Sequence, residues 1–252
     1  MVKSATRTIE LLELLADHPG GLAHGEIAEH LDIPRSSITG LLRSLLAHDY
    51  VEYHAGKRTY SLGHAVLRLS RSYLRQQDLV GRARPLMMQL SSRLNEACAL
   101  TIRRDNNIVV IWKVDDPVID RPSLSMQLGQ SGPIYASASG KAMLAAEGRN
   151  QINRYLGEVE LVPCTSGKIL SVDELRADLE QTLATGIGFS RGEMLAAITA
   201  VGVAVYGADG RPVAGLSVSF PHERATDAHI QSVISELHEV SKGLSMQLGA
   251  AA

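Results

Sequence analysis

The stretch GEIAEHLDIPRSSITGLLRSLL, residues 25–46, decides how the N-terminal part of this chain is interpreted. Its first half carries Ile27, Ala28 and Leu31 at the spacing of one helical face, and residues 32–34 then break the pattern with a proline. Because proline is tolerated in the first turn of a helix, a further helix is expected from there to the end of the stretch. Its apolar stripe consists of Ile38, Leu41, Leu42, Leu45 and Leu46. The stretch therefore predicts two helices joined by a tight turn.

The flanking segments complete this arrangement. An apolar helix is expected over residues 6–15, and the segment His18-Pro19-Gly20-Gly21 ends it. After the stretch, residues 50–54 and 59–62 have the composition of two strands joined by a basic turn. Three helices followed by a hairpin with a basic tip is the order of a winged helix-turn-helix. We therefore predict a DNA-binding domain over residues 1–63.

The polar face of the third helix supports this interpretation. It carries small hydroxyl side chains and arginines but no acid, which suits close approach to phosphates and base edges. An ordinary solvated face of short polar residues is the alternative, and the neighbouring helices and basic hairpin favour DNA. The predicted DNA contacts are Arg35, Ser36, Ser37, Thr39, Gly40 and Arg43 on the helix, and Lys57 and Arg58 at the hairpin tip.

The remaining chain predicts an α+β domain with an antiparallel sheet. Residues 64–77 have an apolar and an arginine-rich face, so we interpret residues 64–78 as a linker helix and residues 79–252 as a second domain. Strands that alternate as hairpins between helices argue against a parallel sheet. Helices are expected over 86–97, 139–146, 171–185 and 226–248, and strands over 99–103, 108–112, 198–206 and 213–220.

Two features of the second domain are candidate ligand contacts. The segment 132–144 is a loop of small residues that leads into a helix, whose first N–H groups favour an anion. Tyr135 stands where a Walker A loop requires glycine, so the segment is not a Walker A phosphate-binding loop. Ser217 and Ser219 lie two apart on a strand, which places both hydroxyls on one face. A small-residue packing junction, and serines that face solvent, remain the alternatives.

Composition and motifs bound the remaining possibilities. With 45% hydrophobic residues, 21% charged residues and a net charge of −2, the chain is expected to fold around an aliphatic core and to contact DNA through a local basic surface. Cys98 and Cys164 have no metal-ligand spacing, and we interpret them as reduced thiols. No catalytic motif, metal set or cofactor motif is found, so no enzyme, metal or cofactor is predicted. No signal peptide or membrane-spanning apolar run is found, so a cytoplasmic protein without a membrane partner is expected.

Several segments together resemble the IclR family of bacterial transcriptional regulators, and the likeness covers nearly the whole chain. They are residues 7–12, 26–28, 34–38, 60–63, 132–145, 188–193 and 213–219. The resemblance implies a winged helix-turn-helix, a linker helix and a GAF-like effector-binding domain of α/β architecture. It also implies homodimers or dimers of dimers that bind palindromic operators of catabolic operons and respond to small organic or aromatic acids.

The resemblance also assigns site residues by position. It implies an effector site between the start of the small-residue helix and the last two strands, formed by Ala138, Ser139, Gly140, Ser190, Ile198, Ala200, Ser217 and Ser219. It adds Arg7 to the DNA contacts. The chain departs from the family at Gly40, where an arginine is frequent, and at Ser190, where a polar or acidic residue is common. A sensor whose helix-turn-helix mediates protein contacts is the alternative function, and retardation of the chain's own upstream DNA distinguishes the two.

Overall fold

A computed structural model describes residues 2–76, 78–115, 126–164, 168 and 170–250 of the chain. The chain forms two compact units, Met1–Gln76 and Gln77–Ala252. Within the described residues, no helix is both long and apolar enough to cross a membrane. The predicted fold class, with helices and an antiparallel sheet behind an N-terminal helix-turn-helix, is confirmed.

The N-terminal unit has the predicted order of three helices and a hairpin. Its elements are helices α1 (Lys3–Ala16), α2 (His24–His30), α3 (Arg35–Ala47) and α4 (Ala65–Gln76) and strands β1 (Leu22–Ala23), β2 (Val51–His54) and β3 (Thr59–Leu62). The two-residue strand β1 was not expected from the sequence, and it pairs with β3 in a three-stranded antiparallel sheet of order β1-β3-β2. The apolar stripe of α3 is buried through Ile38, Leu42 and Leu45, against Leu11, Leu15 and Ile27 of the first two helices.

The boundary region differs from the expectation. The predicted helix over 86–97 in fact begins at Asp78 and ends at Leu94, and we name it α5. It extends further because Leu79, Val80 and Ala83 continue its buried apolar face, while Pro85 removes one backbone donor without ending the helix. It stops earlier because Ala97 already pairs in the sheet. Gln77, the last residue of the periodic segment interpreted as a linker, lies outside the described residues.

The C-terminal unit is built on a six-stranded sheet of order β6-β5-β4-β9-β8-β7, in which every described pairing is antiparallel. The strands are β4 (Ala97–Arg104), β5 (Asn107–Val114), β6 (Ser131–Pro133), β7 (Ile187–Arg191), β8 (Ile198–Tyr206) and β9 (Pro212–Pro221). Strands β6 and β7 were missed because one has three residues and the other carries Gly188 and Ser190, which weaken the strand pattern. They form the two edges of the sheet.

Helices cover both faces of this sheet. Helix α6 (Ala138–Ala146) lies on one face with α7 (Arg149–Glu158) and α8 (Val172–Thr185), and α5 and α9 (Asp227–Gln247) pack together on the other. Helix α7 was not expected from the sequence. Helix α8 begins with a capping box, in which Ser171 Oγ accepts from the Glu174 amide at 3.2 Å and the Glu174 carboxylate accepts from the Ser171 amide at 2.8 Å.

Candidate functional site

The exposed face of α3 carries most of the residues predicted to contact DNA. Burial of the apolar stripe leaves the opposite face open, where Arg35, Ser36, Thr39, Gly40 and Arg43 are exposed and Ser37 is half-buried. A Cβ added at Gly40 would meet no atom within 4 Å. The space that a longer side chain would occupy is therefore empty, and the backbone of α3 can approach a partner closely there.

A histidine that the sequence reasoning missed borders this face. His24, the first residue of α2, has its Nε2 3.0 Å from Thr39 Oγ1. The Thr39 hydroxyl donates to the carbonyl oxygen of Arg35 at 3.0 Å, so His24 Nε2 is the donor to Thr39. This contact orients the Thr39 hydroxyl. The only available signal was the place of His24 at the start of the helix that precedes the turn.

The hairpin places its basic pair at an exposed tip. Lys57 and Arg58 lie in the turn between β2 and β3, and both side chains are exposed. The rings of Tyr53 and Tyr60 pack across the two strands with centroids 4.9 Å apart, which supports the hairpin behind the tip. Arg7 lies on α1 and is half-buried. The N-terminal unit thus presents the basic residues on three separate elements.

A cavity in the C-terminal unit lies between the start of α6 and the sheet. Seven of the eight residues assigned to the effector site line it, and Gly140 does not, because its backbone packs against Ile134 and Ile108. Sequence reasoning missed the other nine of the sixteen lining residues. The complete lining is Ala99, Thr101, Ile108, Val110, Met126, Ala136, Ser137, Ala138, Ser139, Ser190, Met194, Leu195, Ile198, Ala200, Ser217 and Ser219.

The register of the strands explains why the assigned serines meet. Ser190 of β7 pairs with Ala200 of β8, and Ala200 pairs in turn with Ser219 of β9, so the three lie in one row across the sheet. Ser217 follows two positions from Ser219 and lines the same cavity. The alternative in which the paired serines face solvent is therefore wrong. Leu216 and Val218 face away from the cavity and are completely buried.

The hydroxyl groups of the cavity fall into two sets. Ser139 Oγ lies 2.8 Å from Thr101 Oγ1 and 3.2 Å from Ser137 Oγ, and Ser137 Oγ caps α6 by accepting from the Gly140 amide at 3.1 Å. Within the described residues, the hydroxyls of Ser190, Ser217 and Ser219 make no hydrogen bond. The first set already makes hydrogen bonds within the protein, and the second set is available to a ligand.

Glycines bring the start of α6 into contact with the sheet backbone. A Cβ at Gly202 of β8 would lie 2.6 Å from the carbonyl carbon of Ala138, and one at Gly215 of β9 would lie 2.7 Å from Ser139 Cβ. Gly188 of β7, which pairs with Gly202, also leaves room for Ala138. Sequence reasoning did not use these glycines, although glycine within a strand indicates close approach of another backbone.

The electrostatics of the cavity come from dipoles. Among the described residues, no charged side chain lines it. Its walls are aliphatic side chains and methionines, and its polar groups are hydroxyls and the first backbone amides of α6. An anionic group there would be stabilised by the positive end of the helix dipole and by hydroxyl donors.

Two protein-family models match this chain, one near its N-terminus and one over the remainder. Residues 71–246 match the model described as bacterial transcriptional regulator IclR C-terminal, and residues 4–55 match the model described as IclR helix-turn-helix domain. The chain belongs to the IclR family. This family carries a DNA-binding helix-turn-helix, so the chain is an IclR-type transcriptional regulator.

Relatives of this IclR-family chain agree with the assignment. It is 27% identical to the HTH-type transcriptional regulator KdgR of Escherichia coli over 98% of this chain and 93% of that protein. The crystal structure of the Thermotoga maritima IclR is 26% identical and covers 99% of this chain and 100% of its own, with a TM-score of 0.84. An IclR homologue of Microbacterium hydrocarbonoxydans complexed with 4-hydroxybenzoate has the same fold, with a TM-score of 0.80, 21% identity and coverage of 98% and 100%.

Proposed function

We propose that this IclR-family chain is a ligand-responsive regulator that binds a small organic acid in the C-terminal cavity and alters operator binding in response. The observation that carries the proposal is the group of three serine hydroxyls, those of Ser190, Ser217 and Ser219, that line the cavity opposite the capped start of α6 and make no hydrogen bond within the described residues. Because those hydroxyls make no hydrogen bond within the described residues, a bound ligand supplies their partners.

The composition of the cavity supports a ligand with one acidic end and an apolar body. A carboxylate placed at the Ala138 and Ser139 amides gains the helix dipole without a counter-ion. Hydroxyl donors from Ser217 and Ser219 complete its contacts, and the aliphatic side chains of Ile108 and Ile198 suit a carbon skeleton. A homologue of the same fold is complexed with 4-hydroxybenzoate, and this supports the choice of an organic acid as the ligand class.

For DNA, we propose that α3 enters the major groove and that the hairpin tip contacts the backbone. Arg35, Thr39 and Arg43 face the groove from α3, and Lys57 and Arg58 neutralise phosphates. One N-terminal unit offers few basic residues, so high affinity for DNA is expected to come from a homodimer, or a dimer of dimers, that binds a palindromic operator. Because its proposed partner is the operator of a catabolic or metabolic operon, we place the protein in the cytoplasm, and we assign it no catalytic, metal or cofactor site.

Ligand binding is proposed to shift the population between two arrangements of the dimer. A ligand achieves this only through different affinities for the two arrangements. The linker of residues 64–78, which contains α4 (Ala65–Gln76), is the proposed connection between the two domains, which we place at residues 1–63 and 79–252.

A thermal-shift screen of small organic acids, 4-hydroxybenzoate included, tests the cavity. A ligand that binds the folded chain raises its melting temperature by mass action, and the double variant Ser217→Ala/Ser219→Ala is expected to lose that rise. Ser232→Ala, an exposed serine of α9, is the matched control and should retain it. If the double variant binds every acid as well as the native chain does, the assignment of the cavity is wrong.

A gel-retardation experiment tests the DNA half of the proposal. The full chain is expected to retard DNA from immediately upstream of its own gene, and an acid found in the screen is expected to change the retarded fraction. Failure to retard that DNA, together with retention of a protein partner by the N-terminal unit, would favour the alternative of a helix-turn-helix that mediates protein contacts.

A further inference from the structure

The segment that joins β7 to β8, residues 192–197, forms one wall of the cavity, and we call it the strap. Met194 and Leu195 of the strap line the cavity. The methyl group of Met194 reaches the opposite edge strand, because a Cβ added at Gly132 of β6 would lie 3.0 Å from both the Met194 and the Met126 methyl carbons. Since β6 and β7 are the two edges of the sheet, the strap extends over the cavity from one edge to the other.

A buried cation lies directly behind the strap. The Lys141 side chain, on α6, is completely buried, and its ammonium group contacts the carboxylates of Asp178 on α8 and Glu193 on the strap. The distance from Lys141 Nζ to Glu193 Oε1 is 3.4 Å. The other Glu193 oxygen accepts a hydrogen bond from the backbone amide of Arg191. Glu193 thus joins the strap to α6 through its charge and to the end of β7 through a backbone contact.

The two carboxylates that contact Lys141, those of Asp178 and Glu193, belong to different parts of the fold. The Asp178 side chain is 20% exposed on a long helix that does not line the cavity, and the Glu193 side chain is 7% exposed on the strap itself. A completely buried ammonium is costly unless it is paired, and removal of one partner of a buried pair leaves an uncompensated charge. Opening of the strap would carry Glu193 away from Lys141, so the ion pair opposes opening.

We propose that Lys141, acting through Glu193, is a positioning residue that holds the strap closed over the cavity and so limits the entry and release of the ligand. The identity of the occupant as the effector acid rests on the proposed function. We call the ion pair between Lys141 and Glu193 the latch. The latch does not rest on the proposed function, because it is a property of the ligand-free chain. Asp178 shares the ammonium but takes no part in closure.

Labelling of a thiol inside the cavity measures strap opening without any effector. For this experiment, two substitutions are introduced into the full chain. Cys164→Ser removes the half-buried thiol, and Ser217→Cys places a nearly isosteric thiol among the residues that line the cavity. Iodoacetamide is the probe, and mass spectrometry follows the modification. The native Cys98, which is 2% exposed and lies on the opposite face of the sheet with its thiol on the Met87 carbonyl, reports global unfolding in the same sample.

Glu193→Gln removes the charge at nearly constant shape, and it is expected to raise the labelling rate at position 217 about tenfold while Cys98 stays protected, since a local opening exposes only its own region. Glu193→Asp keeps the charge but shortens the reach, and it is expected to give a smaller increase. Asp178→Asn is the matched control, because it takes a carboxylate from the same ammonium, and it is expected to leave the rate within about twofold of the parent.

Three results would contradict the proposal that the latch holds the strap closed. They are an unchanged labelling rate at position 217 in both Glu193 variants, an equal increase of that rate in Asp178→Asn, or a parallel increase of the labelling rate at Cys98. The last of these would mean that the ion pair stabilises the whole unit and not the strap. These results are distinct from failure of the proposed function. If no organic acid binds but Glu193→Gln still opens the cavity, the latch stands and the effector assignment falls.

Discussion

The backbone of Ser139 rests directly on Gly202, because a Cβ at Gly202 would fall 2.6 Å from the carbonyl carbon of Ala138 and 2.7 Å from Ser139 Cα. The first turn of α6 is therefore separated from β8 by no side chain. This close approach fixes the distance between the start of α6 and the serines of β7 and β9, and therefore also fixes the depth of the cavity.

The variant Gly202→Ala is expected to push the start of α6 away from the sheet. Forcing a methyl group into a packed junction of this kind costs about 1–3 kcal/mol of unfolding free energy. Thermal denaturation measures this destabilisation as a melting temperature lowered by several degrees, with reduced response to any acid that binds the native chain. Gly243→Ala in α9 is the control, because a Cβ there meets no atom within 4 Å, and it is expected to be neutral or stabilising. Equal melting temperatures for the two variants would show that the packing at Gly202 is not tight.

Gly40 offers a gain-of-function experiment on the recognition helix. Since the space around Gly40 is empty, Gly40→Arg is expected to fold normally, with a more stable α3 because glycine lowers helix propensity by up to about 1 kcal/mol. If the added guanidinium reaches a phosphate, the slope of log binding constant against log salt concentration steepens by about 0.9. The slope is measured with the upstream DNA. Gly157→Arg on α7, also in open space, should leave it unchanged.

Removal of basic residues from the N-terminal unit is expected to have the opposite effect. Arg43→Ala, and separately Lys57→Ala/Arg58→Ala, should weaken binding to the upstream DNA and flatten its salt dependence by about 0.9 for each phosphate that is no longer neutralised. Arg154→Ala, an exposed arginine of α7, is the matched control. A salt slope identical to that of the native chain would mean that the substituted residues do not touch phosphates.

The two cysteines are expected to differ in reactivity. Burial raises the pKa of the Cys98 thiol to about 12, so at pH 7–9 it remains the unreactive thiol. Its alkylation by iodoacetamide should therefore follow global unfolding of the C-terminal unit and rise with added denaturant. Cys164 is half-buried and is expected to react first. Rapid alkylation of Cys98 in the native chain would contradict both its burial and its use as a reporter of unfolding.

The helix-turn-helix was predictable because its signals are local. The stripe from Ile38 to Leu46 has successive members one or three residues apart, the proline break lies just before it, and the structure has α3 over Arg35–Ala47. The start of α5 was not predictable in the same way, because Pro85 is a strong local signal for a boundary and burial of Leu79 and Val80 outweighed it.

Seven of the sixteen residues that line the cavity were predicted, and the residues that were missed show why the others were not. Ser217 and Ser219 are recognisable by a spacing of two on one strand. Thr101, Met126 and Met194 carry no such pattern, and they reach the cavity only because β4, the segment that precedes β6 and the strap meet around it. Periodicity within one segment does not report which other segment packs against it.

The sequence by itself determined the helix order of the N-terminal unit, the antiparallel character of the sheet and the family, since these depend on spacings along the chain. Only the tertiary structure decided that the serine hydroxyls face a cavity, that Gly140 lies outside it and that Lys141 is enclosed by Asp178 and Glu193. The physical reason is that burial and pairing depend on interactions between residues 37 to 52 positions apart for this cluster, which no local pattern encodes.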